Sequence, residues 1–208
     1  MNEGVIIDGS FVEVPRQRNN HAENKQIKAG HGGELWQGED EKNKKTHKDI
    51  DARWTKKNGE KYFGYKNHAK VDAKSKLIKR GITTDASVHD SQATKYLIDS
   101  GDSVQELLAD SAYIGKGVKK VMRKFKMKDS IIKRAVKGKN LSKHQITINK
   151  KNSKTRVRVE HIFGYCEQSM HGMFSRVVGF LRNSAQITLM NLVYNLNRYE
   201  QIVRLGMN

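Results

Sequence analysis

EGVIIDGSF, residues 3–11, and ELLAD, residues 106–110, decide the fold. Each is a short apolar run closed by an aspartate: Val5-Ile6-Ile7 before Asp8, and Leu107-Leu108-Ala109 before Asp110. Uninterrupted apolar runs of this length, bounded by turn residues, read as strands buried on both faces. Between them, residues 61–71 (KYFGYKNHAKV) and 77–84 (LIKRGITT) are strand-like and are joined by the polar turn 72–76. A helix through Ala93, Tyr96, Leu97 and Ile98, capped by Asp90 or Ser91 and stopped by Gly101, leads into the second aspartate strand. A right-handed crossover through that helix sets residues 106–109 parallel to the first strand. Asp8 and Asp110 then stand on neighbouring strands, although they are far apart in sequence.

Working outward, residues 117–125 read as a helix and 130–133 as a further strand. From Ser153 onward the pattern is helical, with Val159, Ile162, Phe163 and Cys166 on one side. A C-terminal helix over 183–205 follows the cap Asn183 or Ser184, and Leu189, Leu192, Leu196, Tyr199 and Val203 recur along it at helical spacing. Residues 16–50 hold only six apolar side chains and four glycines with no sustained period, which predicts a polar, mobile insertion loop after the first strand. The expectation is an α/β fold, a mixed sheet flanked by helices, in a single domain spanning 1–208.

The charge is as informative as the pattern. Forty Lys and Arg stand against 22 Asp and Glu, a formal net charge of +18. Residues 116–158 carry 17 basic side chains and one acid, Asp129, so nearly all the excess lies in one segment. Apolar residues interleave with it (Val118, Val121, Met122, Phe125, Ile131, Ile132), so it reads as a folded basic face rather than a tail. A polyanion is the partner such a face attracts, and nucleic acid comes first. No window approaches a membrane span, and the N-terminus lacks a secretory pattern. The lone Cys166 excludes a disulfide framework or a thiolate zinc cluster. The expected compartment is the cytoplasm.

Asp8, Asp110 and Glu160 are acids in apolar settings, Glu160 lying among Val157, Val159, Ile162 and Phe163. Carboxylates converging at a core boundary repel one another unless a divalent cation neutralises them. Hard oxygen ligands of this kind suit Mg²⁺ or Mn²⁺. In a basic protein that arrangement points to phosphodiester chemistry with two metal ions.

The segments VIIDGSFVEVPRQRN, DARWTKKNGEKYFGYKNHAKVD, TTDASVHDSQ, LLADSAYIG and RVRVEHIFG occur in an order that resembles the catalytic region of bacterial insertion-sequence transposases of the DDE type, in the insertion-sequence-five-like branch. The likeness runs from residue 4 to about residue 200. It implies a ribonuclease H-like fold, a catalytic and metal-binding triad of Asp8, Asp110 and Glu160, and two Mg²⁺ or Mn²⁺ ions. It further implies cleavage at transposon ends, joining to a target duplex, and a location at the bacterial nucleoid. Two departures accompany it. Arg156 stands four residues before Glu160 as the family signature requires, but Ser153 and Glu167 replace its Tyr and Lys. Only seven residues precede Asp8, so the expectation is a catalytic domain without the usual DNA-end-binding region.

DNA contacts are expected from Arg156, Arg158, Lys119, Lys120, Arg123 and Lys124, with Arg156 the better placed of the two α-helical arginines to share the face of Glu160. Asp90 reads as a helix cap and Asp85 as a strand-end turn residue. Trp54 and Tyr65, near Lys56, Lys57, Lys61 and Lys66, are candidates for base stacking, while Trp36, His89 and His161 have no assigned role. A non-enzymatic DNA-binding relic or inhibitor is the alternative, a stand-alone nuclease of the same fold is a third reading, and a homodimer is a possible assembly.

Overall fold

The computed structural model describes residues 4–138 and 140–206, so Glu3 of the expected first strand lies outside the described residues. Among these, the strands β1 (Val5–Glu13), β2 (Arg53–Lys57), β3 (Glu60–Asp72), β4 (Ile78–Asp85), β5 (Glu106–Leu108) and β6 (Lys128–Asp129) form one sheet in the order β2-β3-β1-β5-β6. β3 pairs antiparallel with β1 along one edge; its other edge takes β2 over the first five residues and β4 from Tyr65 onward. β5 lies parallel to β1, with Val5 opposite Leu107 and Ile6 opposite Leu108, as the crossover argument requires. The helices are α1 (His21–Lys28), α2 (Lys42–His47), α3 (Asp90–Leu97), α4 (Lys116–Lys124), α5 (Lys143–Gln168) and α6 (Phe180–Arg204).

The pleat sorts the core into two layers. Alternate strand residues point to opposite faces, so Val5, Ile7, Leu107 and Ala109 pack with Ala93 and Leu97 of α3 and Val118 and Met122 of α4. Ile6 and Leu108 point the other way, onto Val159, Ile162 and Cys166 of α5 and Ile187, Met190 and Tyr194 of α6. The result is a mixed, curled sheet between two helical layers, consistent with a ribonuclease H-like fold.

β3 is buried from Phe63 to Val71 despite four polar residues, and each of these finds a partner. Lys66 donates to Asp90 at 2.9 Å, Asn67 and Asn191 of α6 exchange side-chain hydrogen bonds at 2.8 and 3.0 Å, and His68 Nε2 lies 2.9 Å from Thr84 Oγ1. Lys70 Nζ reaches Asp99 at 2.8 Å and the fully buried Asp102 at 2.7 Å. Buried polar groups are tolerated when paired in this way, and here they tie the central strand to both layers.

Four expectations are corrected. Residues 16–50 are not an irregular loop: Asn20 and Glu23 form a capping box that starts α1, and Trp36 is buried with its Nε1 donating to Glu23 at 2.9 Å. α5 begins at Lys143, ten residues before Ser153, because Ser142 and Gln145 form a capping box that starts it. The further strand lies at 128–129 rather than 130–133, although Ser130 and Ile132 N–H groups still bond to Leu107 and Ala109 carbonyls at 3.0 Å. α6 starts at Phe180, after Gly179 in the left-handed region, and not at 183; Asn183 is buried and donates to the Val177 and Gly179 carbonyls at 3.0 Å. No helix among the described residues is long and apolar enough to cross a membrane.

Candidate active site

Parity on the strands places the acids. Asp8 lies two residues beyond Ile6 on β1, so it shares the α5 face of the sheet. The β1–β5 register, carried two residues past Leu108, sets Asp110 opposite Asp8 at the carboxyl end of β5. Glu160 projects from α5, the helix packed against that same face. Asp8, Asp110 and Glu160 therefore line one open cleft of about 370 Å³, together with Gly9, Lys57, Arg156 and Glu167.

Each carboxylate is held differently. Asp8 accepts from the Gly9 amide at 2.8 Å and from Arg156 Nη1 at 3.0 Å. Burial raises its pKa to about 6 and the Asp110 charge adds to the rise, while the Gly9 amide, Arg156 and Lys57 oppose it. Asp110 caps a 3-10 turn at Ser111–Tyr113 by accepting from the Ala112 amide at 2.8 Å. Glu160 is half exposed and takes the other arm of Arg156. One guanidinium thus bridges the first and last acids, neutralising charge that would otherwise repel.

Under the cleft lies a polar layer. A Cβ on Gly9 would come within 2.9 Å of His68 Nδ1 and 3.3 Å of Asp90 Oδ1, so the residue after Asp8 has no room for a side chain. Burial holds His68 down at a pKa of about 4, and the ring is neutral at physiological pH. The fully buried Tyr113 is kept a phenol, its pKa raised well above the usual value by burial and by the Asp8, Asp90 and Asp110 charges.

The other sequence candidates fall as follows. Arg156 shares the Glu160 face as expected, whereas Arg158 points away and donates to the Ala73 carbonyl. Lys119, Lys120, Arg123 and Lys124 are exposed on α4, outside the cleft lining. Asp90 is not the cap of α3: His89 occupies that position, and Asp90 pairs with buried Lys66. Asp85 is a turn residue, accepting from the Ser87 amide at 2.9 Å. Trp54 is partly exposed against Phe63, and Arg16 lies over its ring, whereas Tyr65 is no stacking residue: it is fully buried and its hydroxyl donates to Asp49 at 2.8 Å. His161 lines a separate cavity of about 140 Å³ with Lys76 and Arg198. Sequence reading missed Lys57 in the cleft lining; its place at the end of a strand-like KK pair beside Trp54 was the available signal.

The donor set suits a hard divalent cation, since all three acids offer carboxylate oxygens. Among the described residues, however, no group of three His, Cys, Asp or Glu side chains is gathered closely enough to hold a metal ion. Arg156 instead pairs with Asp8 and Glu160 together. No solved structure matches the chain. A family model described as a transposase DDE domain matches residues 1–196, nearly the whole length. The chain belongs to the transposase DDE-domain family.

Proposed function

We propose that this protein carries out metal-dependent DNA strand cleavage and strand transfer, with Asp8, Asp110 and Glu160 as its catalytic acids. The observation that carries the reading is the convergence of those three acids, from β1, the end of β5 and α5, on one cleft. Family membership supports the reaction class, and the motif order supports the insertion-sequence-five-like branch. Asp8 and Asp110 would hold the first Mg²⁺ or Mn²⁺ and Glu160 would complete the set once Arg156 releases it. When bound there, such ions would supply polarisation of the attacking oxygen and positive charge for the leaving oxygen. The chain's own contribution is positional: the Gly9 amide fixes the Asp8 carboxylate, the Ala112 amide fixes Asp110, and Lys57 lends the cleft positive charge for a phosphodiester. Arg156, freed from Asp8 and Glu160, would grip a DNA phosphate bidentately.

A second reading, DNA binding without chemistry, is favoured by the Arg156 bridge, which satisfies two of the three acids without metal. Thermal unfolding separates the two. Mn²⁺ at ten times its dissociation constant adds ~1.4 kcal/mol of stability, a rise of roughly 3–5 °C for a chain of this size. The metal reading expects that rise in the wild type and its loss in the Asp8→Asn, Asp110→Asn double variant. Equal stabilisation of both proteins would leave only the binding reading.

A further inference from the structure

The cavity that His161 lines lies outside the cleft. His161 and Tyr165 stand one turn apart on α5, on the flank next to the one that brings Glu160, Gly164 and Glu167 to the cleft. Lys76, from the turn between β3 and β4, closes a second side, and Tyr194 and Arg198 of α6 close a third. At about 140 Å³ the recess is smaller than the ~300 Å³ at which small-molecule pockets begin, so it takes one charged or polar group and not a whole ligand.

The walls hold two cations in place. Arg198 Nε donates to the Ser75 carbonyl at 2.8 Å and Nη1 to Gln201 Oε1 at 3.2 Å, bonds that aim the guanidinium and leave its charge unneutralised. Lys76 adopts the left-handed backbone region at φ 62, where glycine or asparagine is the ordinary residue. Tyr194 fixes that turn by donating its hydroxyl to the Lys76 carbonyl at 3.0 Å, and Tyr165 meets the Tyr194 ring edge to face at 5.8 Å. A lysine thus stands where the backbone alone favours another residue. Partial burial lowers its pKa, and the Arg198 and Arg158 charges lower it further. Among the described residues the lining holds no Asp or Glu. Cations brought together beside no acid attract an anion, and a guanidinium with an ammonium suits the oxygens of a phosphate. The recess is too small for a nucleoside but open to one group of a polymer, and a chain of net charge +18 attracts polyanions.

We propose that this recess binds one backbone phosphate of the DNA that lies in the cleft, with Lys76 and Arg198 holding its oxygens and His161 and Tyr165 at its rim. The proposal rests on the reading of the cleft as the place where DNA lies. The contact positions the strand, and no bond is made or broken there.

Fluorescence anisotropy of a labelled duplex, titrated with NaCl in the presence of EDTA, tests it on the full chain. Lys76→Asn removes one charge and keeps a residue that tolerates the left-handed turn, and Arg198→Gln removes the other. The double variant is expected to lower the slope of log K against log salt by about 0.9, the value of one phosphate. Binding should weaken roughly eightfold at 0.1 M salt, for all sequences alike. His161→Glu, at an exposed helix position, is expected to weaken binding about threefold at the wild-type melting temperature, so the result does not depend on the fold of the double variant. Unchanged slope and affinity in both proteins would overturn the proposal. Inorganic phosphate separates the two sources of the anion: a wild-type melting temperature that rises with phosphate, with the DNA slope unmoved by the substitutions, would assign the recess to a free ion and overturn it equally. EDTA removes divalent metal, so a cleft that binds none would fail the Mn²⁺ melting test and leave this measurement standing.

Discussion

Asp8 is pulled in two directions: burial favours the neutral acid, while the Gly9 amide and Arg156 favour the carboxylate. Arg156, with the Gly9 amide and Lys57, offsets the charge of an ionised Asp8 that faces Asp110. The opposite case is Glu23 in the 16–50 segment. The hydrogen bond from Lys44 at 2.7 Å, followed by that from Trp36 Nε1, lowers its pKa from 4.5 to about 2. A carboxyl depressed in the folded state contributes stability that is present above the unfolded value and lost as pH falls through the folded one. Glu23→Gln is therefore expected to lower the melting temperature most near neutral pH. The gap to wild type should close as pH falls from 4.5 towards 2, measured by circular dichroism melts across that window. A gap independent of pH would show that the loss is one of packing and not of charge.

At the level of elements, what was legible followed the hydrophobic pattern. β1 and β5 were readable because the start of β1 and the whole run into Asp110 are apolar on both faces, and α6 because its period persists from Ile187 to Val203. α1 was not, because a capping box between Asn20 and Glu23 and one buried tryptophan organise a segment with almost no apolar periodicity. The first ten residues of α5 were hidden for a related reason: all but Asn149 and Asn152 are exposed, and only the Ser142 cap marks the start. In the site, Asp8 and Asp110 were legible from strand ends and Glu160 from its resemblance to a signature. The buried pairing of Asp90 with Lys66 was not, since it depends on β3 being covered on both faces. α4 is the element where charge and exposure coincide, with Val118 and Met122 buried and Lys119, Lys120, Arg123 and Lys124 in solvent. Reversing those four to Glu is expected to weaken duplex binding for all sequences alike. If about six phosphates are neutralised, log K falls with log salt at a slope near −5, and the reversal should flatten it. An unchanged slope in a filter-binding series would move the DNA path away from α4, to Lys57 and the β2–β3 hairpin.

Across the whole molecule, β3 acts as the tie between layers, through Asn67 to α6, Lys66 to α3, and Lys70 to the Asp99–Asp102 turn. Asp102→Ala leaves Lys70 buried with only the half-exposed Asp99, which is expected to cost ~3–5 kcal/mol of stability. Urea unfolding should show that loss, and Lys70→Met combined with Asp102→Leu should recover most of it, because removing both charges removes the unpaired one. Failure of the double variant to recover would mean that the network holds the turn by geometry rather than by charge. β3 also pairs with the whole length of β1, with Ala69 opposite Asp8, so the strand that carries the first acid of the cleft rests on the strand these bonds hold in place. If the cleft gathers its acids around divalent metal, anomalous diffraction from crystals soaked in Mn²⁺ will locate the ion there. The expected result is a manganese peak within about 2.1 Å of carboxylate oxygens from both Asp8 and Asp110, with Arg156 turned away from Asp8. Manganese elsewhere, with the Arg156–Asp8 pair still closed, would contradict it.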